Sequence, residues 1–452
     1  MKPSFNITII TLVSAALSIT YAHYGARYEP PDGRTYHGVG WHNLSQIEYF
    51  NIFPDSLQPI LVQFMSPLPG DVQRRGGMTV ERLMNGFQAE HIDEDRQYSE
   101  MSVHFTDNTN TLDTTFALTD RLDGFIDTMA IAFRQHNRPI FLRIGGEMNG
   151  AWNGYTPWVF PLAFRKLVEG LRDRDVENFA SIWCYEPDAP DDFADSTREG
   201  WKWYPGDDVV DWFGLVPFDV DHFDPDTPDS VEQRERWVIS KKGKTEKFLR
   251  FAEARGKPVY LNELTARHVW ITPYDEEVDS THGSVDWEAW FAPFFEFLDN
   301  HPGIKAMNYI NLDWTQYDHW EHWGDARLQI NEYIRDRWVE ELSGERFIHA
   351  GYEIPQAVYD NAEVVPEDFN LSTYPNPFNS YSTIKFELDR TANTTISLYD
   401  LNGRRMADLV TGQFSAGSHS FIWDAGDLPS GLYLIRLTTP GRSHSVKAAL
   451  VK

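Results

Sequence analysis

Short apolar runs alternate along the chain with longer stretches in which apolar residues recur at helical spacing. The run at residues 140–144 is bounded by Pro139 and by two glycines, which is typical of a buried parallel strand. Residues 118–135 before it and 160–172 after it repeat apolar positions three and four apart, which predicts amphipathic helices. This alternation predicts a parallel sheet with helices packed against it.

Other runs extend the pattern over most of the chain. They predict strands at residues 36–41, 59–65, 179–184, 209–216, 258–261 and 304–310, and helices within 232–254 and 287–298. Residues 76–115 do not divide into clear elements. We predict an α/β fold, a (β/α)8 TIM barrel over residues 23–352, with 140–144 as the fourth strand and 258–261 as the seventh. A doubly wound open sheet is the alternative, but no glycine-rich nucleotide-binding motif favours it.

Both ends of the chain differ from this pattern. Residues 1–22 combine a positive charge, an apolar segment and a small-residue cleavage site, which predicts a signal peptide. No later apolar stretch is as long, so we expect no transmembrane segment in the mature protein. Residues 353–372 are acidic and irregular and predict a linker. Residues 373–452 alternate in short strands separated by turn sequences, which predicts a small immunoglobulin-like β-sandwich.

Charge and cysteine content narrow the functional classes. The formal net charge of −28 argues against nucleic acid as a partner. Residues 373–452 contain eight Lys and Arg against six Asp and Glu, so the acidity belongs to the preceding part. Cys184 is the single cysteine, so no intrachain disulfide can form. The acidic residues that follow Phe218 miss the spacing of a calcium loop, and we expect neither a metal nor a cofactor.

Candidate chemistry begins at Glu147, which follows two glycines at the end of the predicted fourth strand. Amide and aromatic side chains follow closely: Asn149, Trp152 and Tyr155. A carboxylate among flat apolar faces and hydrogen-bonding groups is typical of a carbohydrate-cleaving site. A Glu that caps the next helix is the alternative explanation of this stretch alone.

A second carboxylate, Glu263, ends the predicted seventh strand. The C-terminal ends of barrel strands meet at one face, so Glu147 and Glu263 are expected to lie together there. Carboxylates at the ends of the fourth and seventh strands resemble the arrangement of retaining clan A glycoside hydrolases, in which the two carboxyl groups lie about 5–5.5 Å apart. Negative charge on Glu263 is expected to raise the pKa of Glu147 and so keep its proton. A salt-bridged or helix-capping role is the alternative for Glu263.

Three segments, in this order, resemble glycoside hydrolase family 26, a clan A family that includes β-mannanases and some β-glucanases and β-xylanases. They are Arg143 with Glu147-Met148-Asn149-Gly150 and Trp152, then residues 204–214, then residues 257–263. The resemblance extends over about residues 35–340. It implies a retaining endo-β-glycosidase with Glu147 as the acid/base and Glu263 as the nucleophile.

The resemblance also implies substrate-binding residues. Trp152 is expected to line the cleft, and Trp314, at the end of the eighth strand, is expected to stack on a sugar. Core packing is the alternative for both. Asn149, Tyr155 and Arg143 are expected to bind or orient the substrate.

Two positions depart from the family pattern. Gly146 stands where many mannanases of the family carry His, which puts mannan in doubt. Phe218 stands where many carry a Tyr that orients the nucleophile. Another donor is then expected to serve, His222 or Tyr260, or the site is weakened.

The expected substrate is a plant or algal β-polysaccharide, with β-mannan first and β-glucan or β-xylan as alternatives. A catalytically inactive glycan-binding barrel on the cell surface is the alternative function. The presence of both Glu147 and Glu263 favours the enzyme.

Residues 373–452 resemble the C-terminal sorting domain of the type IX (Por) secretion system. The matching segments are residues 374–379, 400–404, 417–424, 430–433 and 447–452. The resemblance implies the type IX secretion machinery as a partner, and a location outside or on the surface of a Gram-negative-type bacterium. A carbohydrate-binding sandwich is the alternative, but Trp423 is its single Trp.

Overall fold

The computed structural model describes residues 24–40, 43–65, 79–89, 92–105, 111–189, 193, 203–223, 240–271, 273, 282–354, 371–388, 392–399, 405–415, 417–426, 428–439 and 442–451. The chain divides into two compact units, Met1–Ala357 and Val358–Lys452. The predicted signal peptide and most of the predicted linker lie outside the described residues and stay predictions.

Eight parallel strands close into a barrel in the first unit. They are β1 (Thr35–Val39), β2 (Leu61–Met65), β3 (Tyr98–Val103), β4 (Ile140–Glu147), β5 (Phe179–Tyr185), β6 (Trp212–Leu215), β7 (Val259–Leu264) and β8 (Ile304–Tyr309). Each strand pairs with the next, and β1 pairs with both β2 and β8, which closes the ring. A short strand, β9 (Phe347–Ile348), adds to β1. The predicted TIM barrel is confirmed.

Helices surround the barrel. They are α1 (Asn43–Phe50), α2 (Val80–Phe87), α3 (Asp113–Leu118), α4 (Asp123–His136), α5 (Phe160–Arg172), α6 (Lys241–Glu253), α7 (His282–Asp286), α8 (Ala292–Asn300) and α9 (Glu332–Leu342). A π-helical turn, Trp287–Phe291, joins α7 to α8. In α5 the buried residues recur three and four positions apart, so one apolar face packs on the sheet and the other faces water.

The strand that the apolar pattern did not reveal is β3. All six of its residues are buried, although Ser99, Glu100 and Ser102 are polar. Alternate residues of a barrel strand face the barrel interior, and here that interior is partly polar. A search for apolar runs therefore could not detect β3.

Polar side chains form a layer in the barrel interior that we call the polar layer. It consists of Gln63, Glu100, Arg143, Asn262 and Asn308, each from a different strand and none more than 1% exposed. Two residues earlier on β4 and β7 lie Phe141 and Tyr260, which belong to an aromatic core nearer the N-terminal ends of the strands. Gly38 on β1 makes room for the layer, because a Cβ there would lie 2.1 Å from Asn308 Oδ1.

The segment before β1 packs against the N-terminal end of the barrel. Arg27 donates hydrogen bonds to the carbonyl oxygens of Glu177 and, at 2.9 Å, Phe179. Lys305 on β8 is buried, with its Nζ 3.7 Å from Glu29 Oε1. Burial lowers the pKa of Lys305, and the Glu29 carboxylate opposes that shift. This buried ion pair links the segment to the barrel.

The second unit contains two antiparallel sheets. One has the order β10 (Leu371–Tyr374), β11 (Tyr381–Leu388), β14 (Gly417–Asp424), and the other has the order β13 (Arg405–Phe414), β12 (Ala392–Tyr399), β15 (Gly431–Thr439), β16 (Arg442–Leu450). Alternate residues of β11 are buried and join an apolar core with residues of both sheets. The predicted β-sandwich is confirmed. Across the described residues of the whole chain, no helix is long and apolar enough to cross a membrane.

Candidate active site

Glu147 is the last residue of β4, and Glu263 lies one residue before the end of β7. Both are therefore at the C-terminal end of the barrel, where TIM-barrel enzymes place their active sites. The pairing register is irregular at both places, after Arg143 on β4 and after Leu261 on β7. Irregularities of this kind change the direction in which a side chain points.

Two glycines allow β4 to end in this way. Gly145 and Gly146 have φ values of 83° and 58°, which other residues rarely adopt. A Cβ on Gly146 would lie 2.2 Å from Cε1 of His104, which follows β3. An imidazole from the neighbouring strand therefore occupies the space beside the position where the family pattern has His. Burial, followed by the charge on Arg143, lowers the pKa of His104 to about 4, so its imidazole is neutral.

Arg143 is a buried cation on β4, four residues before Glu147. Its Nη1 donates a hydrogen bond to Glu263 Oε1, and the two groups form an ion pair. Burial opposes a rise in the pKa of Arg143, but the surrounding acidic groups, among them Glu263, Glu100 and Glu147, raise it well above its ordinary value. Arg143 therefore keeps its charge and contacts Glu263.

Glu147 has a different environment from Glu263. Burial and the charge on Glu263 raise the pKa of Glu147 to about 7, although Arg143 and a hydrogen bond from Trp152 oppose the rise. Trp152 Nε1 donates that bond to Glu147 Oε2 at 2.7 Å. The Trp152 side chain is 62% exposed, so part of its ring faces solvent next to the carboxyl group. The carboxyl pair thus combines one group held by a cation with one that retains a proton close to neutral pH.

Asn149 connects the end of β4 to the end of β5. Its Nδ2 donates to the carbonyl oxygen of Glu186 at 2.8 Å, and its Oδ1 accepts from the Glu186 backbone N–H at 2.9 Å. The side chain is 3% exposed. Asn149 therefore orders the loop that carries Glu147 rather than facing open solvent.

Glu186 is a further carboxyl group at this end of the barrel that the sequence did not single out. It is buried, and burial followed by the charges of Glu147 and Asp188 raises its pKa well above the ordinary value. Its position in the sequence, directly after β5, is the feature that could have identified it.

Two predicted binding residues lie in the core. Tyr155 is 7% exposed, and its hydroxyl oxygen accepts a hydrogen bond from the Phe105 backbone N–H at 2.9 Å. Trp314 is 2% exposed, donates from Nε1 to Thr265 Oγ1 at 3.1 Å, and has its ring centroid 4.9 Å from that of the partly exposed Trp323. This placement agrees with core packing, the alternative that the sequence left open for Trp314. Neither ring is exposed enough to stack on a sugar in this structure.

Phe218 packs among aromatic side chains. Its ring centroid lies 4.9 Å from that of Trp323, and its carbonyl oxygen accepts from Trp290 Nε1 at 3.1 Å. Trp290 belongs to the π-helical turn Trp287–Phe291, so this turn is connected to the loop after β6.

The two side chains expected to replace the missing Tyr hydroxyl have other partners. His222 lies 3.1 Å from Thr245 Oγ1, and the Tyr260 hydroxyl donates to Asn308 Oδ1 at 3.1 Å inside the barrel. These hydrogen bonds engage Thr245 and Asn308, not Glu263. They do not support the expectation that His222 or Tyr260 orients the nucleophile. Arg143 supplies the donor instead.

A charged cluster borders the site at the ends of β5, β6 and β7. Asp188 accepts from Arg267 Nη1 at 2.9 Å and lies 3.3 Å from both His222 Nε2 and Lys241 Nζ. Burial raises the pKa of Asp188, but His222 and the two cations lower it well below its ordinary value overall. These contacts tie three loops together. Among the described residues no group of three or more His, Cys, Asp or Glu could hold a metal ion.

Comparison with protein families agrees with this geometry. Residues 91–285, which include both Glu147 and Glu263, match the model of glycosyl hydrolase family 26. The barrel carries a glycosyl hydrolase family 26 domain. Residues 372–452 match the model of a secretion system C-terminal sorting domain. This second match indicates secretion or cell-surface attachment through the type IX route, as predicted.

Individual relatives of the family 26 domain are more distant. The chain is 30% identical over 261 residues to "Beta-1,3-xylanase TXYA" of Vibrio sp., covering 53% of this chain and 51% of that protein. It is 29% identical over 246 residues to a "Beta-1,3-xylanase" of Alcaligenes sp., covering 50% and 47%. The chain spans about half the length of these curated relatives. A GH26 beta-mannanase from Bacteroides ovatus is 14% identical with a TM-score of 0.43, over 72% of this chain and 91% of that one.

Proposed function

We propose that the family 26 domain is a retaining endo-β-glycosidase, with Glu263 as its nucleophile and Glu147 as its acid/base. The observation that supports this most strongly is the difference between the two carboxyl groups. Glu263 forms an ion pair with the buried Arg143, whereas the pKa of Glu147 is raised to about 7 by burial and by Glu263. A retaining mechanism needs one carboxylate ionised and the other protonated at the start.

The reaction follows from these protonation states. Glu263 attacks the anomeric carbon, the glycosidic C–O bond breaks, and Glu147 gives its proton to the leaving oxygen. Glu147 is then ionised and takes a proton from a water molecule. The oxygen of that water attacks the anomeric carbon and releases Glu263. Loss of negative charge from Glu263 in the intermediate lowers the pKa of Glu147, which suits its second role as a base.

The neighbouring side chains support these two steps. Trp152 orients the Glu147 carboxyl group through its indole N–H, and its exposed ring is available to stack on a sugar. Arg143 pairs with the carboxylate of Glu263 and fixes its position. Asn149 holds the loop after β4 through the backbone of Glu186.

For the substrate we propose β-1,3-xylan first. Two curated relatives, at 30% and 29% identity, are named as β-1,3-xylanases. Gly146, where many mannanases of the family have His, also argues against mannan. β-Mannan and β-glucan remain the other candidates.

We also propose the following organisation of the exported protein. Residues 1–22 are the signal peptide, 23–352 the catalytic barrel, 353–372 the linker and 373–452 the sorting domain. The type IX secretion machinery is the partner of the sorting domain, and a polysaccharide is the partner of the barrel.

Reducing-sugar release from purified protein tests this function. The panel is β-1,3-xylan, β-1,4-xylan, mannan, glucomannan and mixed-linkage β-glucan. We expect release from β-1,3-xylan that is lost in Glu147→Gln and in Glu263→Gln. Glu94→Gln is the matched control, because Glu94 is exposed in a turn. Release of reducing sugar from another polymer would identify that polymer as the substrate in place of β-1,3-xylan. Binding to a polymer without release from any of them would favour the inactive glycan-binding barrel.

A further inference from the structure

Glu100 is a buried carboxyl group close to the catalytic pair for which the proposed mechanism has no use. It lies on β3 with 0% of its surface exposed. Asn308 Nδ2 donates to its Oε2 at 2.8 Å. Its Oε1 is buried and meets no donor at full hydrogen-bond geometry within the described part of the chain, although the Gln63 side chain favours the charged form of the carboxyl group. Like Glu263, it interacts electrostatically with Arg143.

The hydrogen bonds around Asn308 show which of its groups faces Glu100. The Tyr260 hydroxyl donates to Asn308 Oδ1 at 3.1 Å, so the amide oxygen of Asn308 already has a donor. Its amide nitrogen is then the group that faces Glu100. The room for this arrangement comes from Gly38 on β1, where any Cβ would collide with the Asn308 side chain.

The charge balance of the polar layer favours a neutral Glu100. Arg143 is the cation of this layer, and Glu263 forms the ion pair with it. A second ionised carboxylate beside the same guanidinium would leave a net negative charge in the barrel interior, which is costly. In agreement, burial and the charge on Glu263 raise the pKa of Glu100 to about 8, against the effects of Arg143, Gln63 and Asn308.

We propose that Glu100 is a positioning residue. As a neutral carboxyl group it supports Arg143 from inside the barrel, so that the guanidinium of Arg143 pairs with the carboxylate of Glu263 alone. This role rests on the proposed function. When Glu100 ionises, it competes with Glu263 for the guanidinium of Arg143. The nucleophile then loses part of its fixed orientation.

The other titratable groups that face Glu100 are Cys184 on β5 and Tyr260 on β7, in addition to Arg143 and Glu263. Burial raises the pKa of Cys184 and of Tyr260, so both stay neutral through the neutral range. Changes in this part of the barrel between pH 5 and 9 are therefore assigned to Glu100, to Glu147 and to Glu186, whose pKa is also raised by burial. The Glu100→Gln variant separates the contribution of Glu100 from the other two.

The first test measures stability and is independent of activity. The folded protein keeps the Glu100 proton at pH values where the unfolded chain has lost it, so this group contributes less stability as pH rises from about 4.5 towards 8. Glu100→Gln cannot ionise. We expect its stability in urea, relative to the wild type, to increase steadily from pH 5 to pH 8. The exposed Glu94→Gln should show no such trend. A relative stability of Glu100→Gln that is constant or falls with pH would overturn the proposal, because it would mean that Glu100 is ionised.

The second test follows catalysis in the same variants. We expect Glu100→Gln to keep kcat/KM within about threefold of the wild type near the pH optimum. The kcat/KM of this variant should decline less steeply above pH 8 than that of the wild type, because the ionisation of Glu100 is absent. An unchanged alkaline limb in an active variant would overturn the positioning role alone. A wild type that is inactive on every polymer would overturn the proposed function and this role with it, whereas the stability measurement would still report the protonation of Glu100.

Discussion

The indole nitrogen of Trp152 donates a 2.7 Å hydrogen bond to Oε2 of Glu147. A hydrogen bond of this kind is stronger when the carboxyl group is ionised, so it lowers the pKa that burial and Glu263 raise. The proposed acid/base is therefore balanced between opposing effects. Its proton affinity should respond to single substitutions around it.

Trp152→Phe should raise the pKa of Glu147, because it removes a donor to the ionised form. We expect the alkaline limb of kcat/KM to move to higher pH by up to about one unit, since Trp152 is largely exposed and the effect is partly screened. The measurement is the pH profile on the polymer that the wild type cleaves. Trp158→Phe is the control, because Trp158 is also exposed and lies on the same loop. A limb that moves to lower pH would contradict the assignment.

Arg143→Met should destabilise the protein by about 3–5 kcal/mol, because it leaves Glu263 buried without its cation. The measurement is the free energy of unfolding in urea at pH 7. Arg143→Met combined with Glu263→Gln should regain part of the loss, since the second change removes the unpaired charge. If the two losses simply add, the ion pair does not stabilise the fold in this way.

Gly146→Ala should be destabilising for two reasons. Its φ of 58° costs an L-residue about 1–2 kcal/mol, and its Cβ would lie 2.2 Å from Cε1 of His104. Adding His104→Ala should relieve the collision, so the double variant should be more stable than the sum of single losses by about 0.5–3 kcal/mol. Gly145→Ala is the control, because its Cβ would meet Phe160 instead and His104→Ala should not help it.

Acid should destabilise the barrel through its buried histidines. His37 Nε2 lies 2.9 Å from His349 Nδ1, and burial lowers the pKa of both. The unfolded chain binds these protons below about pH 6.5 whereas the folded chain does not, so stability is fully present above that pH and falls as pH decreases. We expect a loss of up to about 1.4 kcal/mol per pH unit for each group between pH 6.5 and 5.

The unfolding free energy of His37→Asn, measured at several pH values, tests this origin. The variant should lose less stability on acidification than the wild type. His282→Asn, at an exposed position, should behave like the wild type. Parallel pH dependences for all three proteins would exclude the His37–His349 pair as the cause.

The sequence was sufficient for the barrel, because most of its strands are continuous apolar runs and its helices have one apolar face. The predicted helix at residues 160–172 coincides with α5. β3 was missed because it contributes Glu100 to the polar layer, and a polar residue in a strand looks like surface until the strand is known to face a barrel interior. The two glutamates could be paired because the fold brings strand ends together.

Partners across the barrel could not be predicted in this way. Arg143 and Glu263 are 120 positions apart, and their ion pair depends on the register of four strands. Trp314 and Tyr155 lie in the segments that follow β8 and β4, where binding residues are expected, but their rings turn into the core. His104 lies beside Gly146 because Gly146 on β4 has no side chain and because the segment after β3 brings the imidazole there. Such relationships depend on three-dimensional packing and leave little trace in local spacing.

Azide rescue tests the central assignment most directly. The substrate is an aryl β-glycoside of the sugar that the wild type cleaves, with a dinitrophenolate leaving group that needs no acid. Azide should accelerate Glu147→Ala and give the β-glycosyl azide, because the covalent intermediate on Glu263 still forms. It should convert Glu263→Ala to an enzyme that gives the α-glycosyl azide. The opposite pairing of products and variants, or no rescue of either, would contradict the assignment of Glu147 as acid/base and Glu263 as nucleophile.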